Sequence, residues 1–196
     1  MRRAADVVLS LLGGLLLAPV TAVVAVAVLS RCGAPVLYRQ QRAGRHGTPF
    51  LIVKFRTMRP PCFPGEADAV RLTPLGRFLR TTSLDEIPQL WNVLRGEMTL
   101  IGPRPTLPEQ VVHYTPRQRG RLAVRPGLTG WAQVRGRNAL SWPERIELDL
   151  WYIQHRCVRL DLRILGLTLL RLLRPVGISG AGGENPGFPV PERRVP

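Results

Sequence analysis

The chain has 196 residues, 28 Lys+Arg against 13 Asp+Glu for a formal charge of +15, and a hydrophobic share of 45%. That length accommodates one ordinary domain with a small appendage. Its three cysteines, Cys32, Cys62 and Cys157, are far apart and none stands in a CxxC or beside histidine at metal-ligand spacing, which excludes a disulfide framework and leaves reduced cytosolic thiols.

Only Lys54 among the basic residues is lysine; the others are arginine, as a GC-rich genome would favour, so the charge is discounted. The residual basic bias points to a polyanionic partner: nucleic acid, anionic lipid head groups or phosphorylated substrates.

From Val7 to Leu29 the chain reads VVLSLLGGLLLAPVTAVVAVAVL, 23 residues without a charge. A run above about 18 marks a membrane helix. Three readings compete. A cleaved signal peptide draws on Arg2, Arg3 and the Ala25-Val26-Ala27 site, but the run exceeds an ordinary h-region. A straight span has sufficient length. A re-entrant helix, entering and leaving on one face, is favoured by Pro19 at mid-run, which removes a backbone hydrogen bond, and by arginines at both flanks (Arg2, Arg3; Arg31, Arg39, Arg42), since positive charge marks the cytoplasmic side. Membrane helices also tolerate proline as a plain kink.

Beyond Arg31, VLYRQ (Val36–Gln40) and FLIVKF (Phe50–Phe55) read as strands joined through the Gly-bearing AGRHG turn, a hairpin. RPPCFPGEAD is a loop. LTPLGRFLRTT predicts a short helix with an apolar face at Leu75, Phe78 and Leu79. Leu84, Ile87, Leu90, Trp91 and Leu94 follow at helical spacing, with Gly96 as the C-cap. MTLIGPRP predicts a short strand entering a stiff Pro-Arg-Pro turn, and RPGLTGWAQVRGRN an irregular loop or strand. Residues 142–174 predict two helical pieces. The second carries Arg159, Arg163, Arg171 and Arg174 largely on one face, as an interfacial helix or as a core helix with a solvated face. The Gly/Pro-rich tail, 175–196, is expected to be disordered.

Asp85 and Glu86, in SLDEIPQLW, are adjacent acids in a basic chain. SLDE fits a capping box with Ser83 as N-cap and Glu86 as its partner; Pro88, easiest in a first turn, favours a start nearer Asp85. Either register sets both carboxylates at a helix N-terminus, whose dipole would keep them ionised. Arg77, Arg80, Arg95, Arg104, Arg125, Arg135 and Arg137 supply cations nearby. Carboxylates among arginines suit phosphoryl transfer, since a carboxylate can attack phosphorus and guanidinium holds phosphate in bidentate fashion. Capping and surface ion pairs explain the same residues. No P-loop, GxGxxG or zinc spacing occurs. Trp131 fills the core or stacks on a nucleobase. Trp151 and Tyr152 fit core packing as well as a lipid interface. His46, His113 and His155 share no ligand or triad spacing.

YRQQRAGRHGTPFLIVKFRTM, LRTTSLDEIPQLWNVLRGEMTLIGPRP, RPGLTGWAQVRGRN and ELDLWYIQHRCVRLDLRIL together resemble the bacterial sugar transferase family, the small monotopic phosphoglycosyl transferases. The resemblance runs in order from Pro35 to Leu173. It implies an α+β fold: a re-entrant membrane helix (1–33), a small cytosolic catalytic domain rich in helices with short strands and amphipathic interfacial helices (34–174), and the tail (175–196). It implies transfer of a sugar-1-phosphate from a UDP-sugar to undecaprenyl or another polyprenyl phosphate, with release of UMP. This is the first membrane step of surface glycan synthesis, such as exopolysaccharide or O-antigen, on the cytoplasmic face of the bacterial inner membrane.

By resemblance Asp85 is the nucleophile, forming a covalent phosphosugar intermediate. Glu86 is its partner, in magnesium ligation or in acid–base support, and both carboxylates are candidate Mg²⁺ ligands. Arg80, Arg104 and Arg137 bind phosphate; Lys54 and Arg56 match the motif KFRTM. The partners implied are a UDP-sugar, the lipid phosphate and the membrane, not nucleic acid. Where the family breaks its re-entrant helix at Ser-Pro, this chain has Ala18-Pro19 and lacks that hydroxyl. The competing reading from composition is a membrane-tethered basic module that binds nucleic acid or anionic lipid.

Overall fold

The computed structural model describes residues 2–136 and 139–173. Arg137, Arg174 and the tail lie outside the described residues. The fold is α+β, helix-rich with short strands.

The apolar N-terminal run forms two helices, α1 (Arg2–Leu16) and α2 (Ala18–Cys32), which together are bent by 62°. No single described helix is long and apolar enough to cross a membrane. The bend follows from Pro19, in the first turn of α2 without an N–H to donate. The Thr21 hydroxyl donates to the Leu17 carbonyl at 2.8 Å, so a hydroxyl serves the bend from two residues beyond the proline. Val8, Leu11, Leu12, Leu15, Leu16, Val23 and Val26 stand outward, half or more exposed.

The start of α1 is tied to the rest of the molecule. Asp6, buried, accepts from the Leu100 backbone N–H at 3.0 Å and the Thr99 hydroxyl at 2.8 Å. Arg3 donates to the carbonyls of Val93 and Leu94, and Arg2 pairs with Asp161 at 3.0 Å. At the other end Val24, Val28 and Cys32 of α2 pack with Phe55 and Leu79 in one core cluster.

The hairpin forms as expected: β1 (Leu37–Ala43) and β2 (Pro49–Phe55) pair antiparallel, with Tyr38 opposite Lys54 and Arg42 opposite Phe50. A short helix, α3 (Asp68–Arg71), precedes α4 (Pro74–Thr82). Thr73 caps α4, accepting from the Gly76 N–H at 2.9 Å. A Cβ on Gly76 would stand 1.8 Å from the Thr57 carbonyl oxygen, so only glycine lets α4 lie this close to the strand exit.

Next, α5 (Gln89–Arg95) ends at Gly96 with φ 82°, a left-handed C-cap. Buried Asn92 stitches α5 to β2: its Nδ2 donates to Leu51 O at 2.8 Å and its Oδ1 accepts from Val53 N at 3.1 Å. Phe78 and Trp91, assigned to apolar faces by their spacing, are instead 57% and 59% exposed. Leu79, one residue on from Phe78, takes the core position.

A second, parallel pair joins β3 (Thr99–Ile101) to β4 (Gly127–Thr129), with α6 (Pro108–Val111) and α7 (Pro116–Arg119) between them. The glycine-rich segment read as loop or strand gives β4 and then α8 (Trp131–Arg135). The two helical pieces are α9 (Trp142–His155), opened by a Ser141–Glu144 capping box, and α10 (Val158–Leu173). Trp131, Val134, Tyr152, Leu160 and Ile164 form the core beneath them.

Trp131 is 4% exposed and stacks on Trp151 at 5.5 Å, a core position. In α10 the arginines do not make a simple outward stripe. Arg159 and Arg163 are exposed, Arg163 over the Trp131 ring at 5.7 Å, whereas Arg171 is half-buried and donates to Val134 O at 3.3 Å; Leu162, Leu169 and Leu170 are exposed as well.

Candidate active site

The segment SLDEIP does not fold as the capping box its sequence suggests. Ser83 adopts a left-handed conformation (φ 58°, ψ 17°), ends α4, and makes no side-chain cap. Leu84–Glu86 is a single 3-10 turn, and the helix begins only at Gln89. The reason is chemical as well as steric. The Ser83 N–H goes to Arg80 O, and the Glu86 carboxylate that would have reached back is held by two cations.

Lys54, on β2, sends Nζ to Glu86 Oε1 at 2.8 Å, and Arg104, in the Pro-Arg-Pro turn, sends Nη2 to the same oxygen at 2.7 Å. Burial opposes the ionisation of Glu86, but Arg104 and Lys54 outweigh it and hold this carboxyl well below the usual carboxylate range. Arg104 is raised in turn, chiefly by Glu86.

Asp85 behaves oppositely. Only 7% exposed, it is pushed up to about 6 by burial and by the neighbouring Glu86 charge, against the pull of Lys54, Arg104 and Arg80. It remains mostly ionised at pH 7. The expectation that a helix dipole keeps both acids charged is therefore corrected. The pair sits a turn ahead of α5, and cations on other segments decide its ionisation.

Arg80 projects from α4 and donates through Nε to the Thr57 hydroxyl at 3.1 Å, on the charge field of Asp85. Arg56 is not brought to the dyad; its Nη1 donates to Ala34 O at 3.0 Å. Arg137 lies outside the described residues. Of the other nearby arginines, Arg95 pairs with Glu97 at 3.4 Å and Arg135 lies 4.3 Å from the centre of the Trp131 ring.

Residues that sequence reasoning missed hold the site from behind. Buried Arg121 pairs with buried Asp149 at 2.6 Å, donates to Tyr114 Oη at 2.9 Å, and donates to the backbone carbonyl of Arg104 at 2.9 Å. The Pro-Arg-Pro turn is thus pinned by a charged group beneath it. Arg121 and Asp149 are 28 residues apart, and no spacing rule links them. Arg42 was read only as a flank of the membrane segment, although strand alternation sets it on the Lys54 face of the hairpin.

No group of three His, Cys, Asp or Glu side chains that would hold a metal occurs among the described residues. The dyad offers two carboxylates. Asp85 receives no hydrogen bond from a described residue, and Lys54 and Arg104 both use Oε1 of Glu86 rather than Oε2. Magnesium is commonly held by one or two carboxylates, with substrate phosphates and water completing its shell. The donor set fits that mode and not an all-protein cage.

A family model described as bacterial sugar transferase matches residues 1–175. The chain is 47% identical over 155 residues to the uncharacterized sugar transferase EpsL of Bacillus subtilis, covering 76% of this chain and 75% of that protein. It is 41% identical over 185 residues to a UDP-glucose:undecaprenyl-phosphate glucose-1-phosphate transferase of Caulobacter vibrioides (88% of this chain, 69% of that one). To the protein of the same description from Escherichia coli it is 39% identical over 188 residues, covering 87% of this chain but 40% of that longer protein.

Proposed function

The chain belongs to the bacterial sugar transferase family, and from that premise we propose that it transfers a sugar-1-phosphate from a UDP-sugar to a polyprenyl phosphate and releases UMP. One observation carries the reading: a buried, unclamped carboxylate, Asp85, lies beside one, Glu86, whose charge is already neutralised by Lys54 and Arg104.

An Asp85 oxygen attacks the sugar-bearing phosphorus of the UDP-sugar. The bond from that phosphorus to the bridging oxygen breaks, and UMP leaves with the oxygen. The lipid phosphate then attacks the same phosphorus, the acyl-phosphate bond breaks, and the Asp85 carboxylate returns. Arg80 and Arg104 hold phosphate oxygens in the fixed fork that guanidinium provides. Lys54 keeps Glu86 charged and in place. Asp85 and Glu86 are the residues that would hold Mg²⁺, which when bound offsets repulsion between the dyad and the phosphates.

The bent α1–α2 pair supports membrane attachment. Each helix has 15 residues, about 22 Å at 1.5 Å per residue, short of a hydrocarbon core of about 30 Å. Bent and flanked by arginines at both ends, the pair enters and returns on the cytoplasmic face, bringing Asp85 to the level of a lipid phosphate. The test is UMP release from a panel of UDP-sugars with Mg²⁺ and undecaprenyl phosphate. Equal release by wild type and Asp85→Asn would sink the mechanism.

A further inference from the structure

Arg42 stands at the same site with no task assigned to it. In the hairpin, Tyr38 pairs with Lys54, Gln40 with Ile52 and Arg42 with Phe50, so Arg42 projects from the face that carries Lys54. Its Nη2 donates to Gln40 Oε1 at 2.6 Å, drawing the guanidinium back along the strand toward Lys54. The next residue, Ala43, bridges to Thr106 and donates to its carbonyl at 2.9 Å, which docks the end of β1 against the Pro-Arg-Pro turn. Arg42 and Arg104 thus come from adjoining, hydrogen-bonded segments.

Their charges are unequally met. Arg104 has Glu86, which Lys54 already shares. Arg42 makes no ion pair among the described residues; its hydrogen bond goes to a neutral amide oxygen, that of Gln40. Burial and the adjacent Arg104 both disfavour its charge, while Tyr38, Glu86 and Glu109 support it. Two half-buried guanidiniums on adjoining segments, one sharing its carboxylate with Lys54 and the other without an ion pair among the described residues, form a site in want of an anion. Arg80 comes from α4, a different segment from the two that carry Arg42 and Arg104, and donates to the Thr57 hydroxyl.

We propose that Arg42 and Arg104 form a paired guanidinium clamp for the phosphate that stays on the leaving nucleotide, while Arg80 serves the phosphorus that Asp85 attacks. This rests on the transfer reaction proposed above. It orders the substrate: sugar-bearing phosphate over Asp85, nucleotide phosphate across Arg104 and Arg42, nucleoside toward the end of β1. No bond is made or broken at Arg42; it binds the group that departs.

The experiment compares wild type, Arg42→Gln and Arg42→Lys in UMP release and in inhibition by UMP and by uridine, which lacks the phosphate. Arg42→Gln is expected to weaken UMP inhibition and raise KM for the UDP-sugar about 10- to 100-fold, the weight of a lost charge-assisted bond. Inhibition by uridine and KM for undecaprenyl phosphate stay unchanged. Arg42→Lys, keeping the charge without the fork, recovers part of the UMP inhibition. UMP inhibition in Arg42→Gln equal to wild type overturns the clamp. So does a rise confined to KM for undecaprenyl phosphate, which would assign Arg42 to the lipid. A wild-type protein that releases no UMP from any UDP-sugar overturns the reaction itself, a separate failure.

Discussion

Lys54 and Arg104 converge on one atom, Oε1 of Glu86, at 2.8 and 2.7 Å, from segments 50 residues apart in the chain. That convergence divides the labour of two adjacent acids. Glu86 becomes a clamped group, held well below the usual carboxylate range by Arg104 and Lys54. Asp85, buried beside it and held less tightly, is pushed up to about 6 and, in the proposed reaction, is the carboxylate that attacks.

The first prediction concerns pH. Asp85 must be ionised to act, so kcat/KM for the UDP-sugar should fall about tenfold per unit below about pH 6. Glu86→Gln removes a like charge and frees Lys54 and Arg104 to act on Asp85, so the acid limb should move to lower pH while kcat drops. Lys54→Met removes an attraction and should move it upward. A pH–rate series from 5 to 8 checks both; no movement in either variant refutes the coupling.

A second prediction follows from linkage. The folded-state pKa of Asp85 is raised from 3.8 to about 6, so between those values the native state holds more protons than the unfolded state. The Asp85 contribution to stability therefore declines as pH rises through that window and is least above it. Asp85→Asn removes that penalty. Its melting temperature should exceed that of wild type at pH 7.5, and the difference should shrink toward pH 4. Thermal unfolding in detergent at the two pH values measures it. Glu86, held below the usual range, loses its contribution only at still lower pH.

Metal removal is the third. Chelation should abolish UMP release, and added Mg²⁺ should restore it, with Glu86→Gln needing several-fold more Mg²⁺ for half-maximal rate. Unchanged turnover after exhaustive chelation would remove Mg²⁺ from the mechanism.

Fourth, Asp149→Asn leaves buried Arg121 without its counter-charge. The cost should be about 3–5 kcal/mol, with lowered kcat/KM because Arg121 also holds the Arg104 carbonyl. Arg121→Met with Asp149→Leu should recover most of the stability but not the activity. Unfolding curves and UMP release together separate the two effects.

The fifth prediction is topological. Cysteine or epitope tags at both ends should be protected from impermeant reagents in intact cells. Labelling of one end alone means that the bent helix pair crosses the membrane.

Local signals carried much of the fold. The hairpin, the Thr73 cap of α4, the Gly96 end of α5 and the two-piece helix after Trp142 all rest on interactions within a few residues, which composition and spacing report. The N-terminal run was legible as apolar, and Pro19 as its bend. Less legible were Asp6 and Arg3, whose partners lie some 90 residues on, and the outward placement of Phe78 and Trp91, since spacing marks an apolar face without saying what covers it.

The sequence by itself determined that an apolar segment precedes a basic α+β domain of this family, and it offered Asp85 and Glu86, with Lys54, Arg56, Arg80, Arg104 and Arg137, as candidates for its chemistry. Resemblance assigned the two acids different roles, but their shared local context and single apparent capping signal gave no physical ground for a difference in ionisation. Only the tertiary structure decided that. Electrostatics depends on distance through space: the packing of β2 and the Pro-Arg-Pro turn on Glu86, and the burial of Asp85, set opposite fates for neighbouring carboxylates.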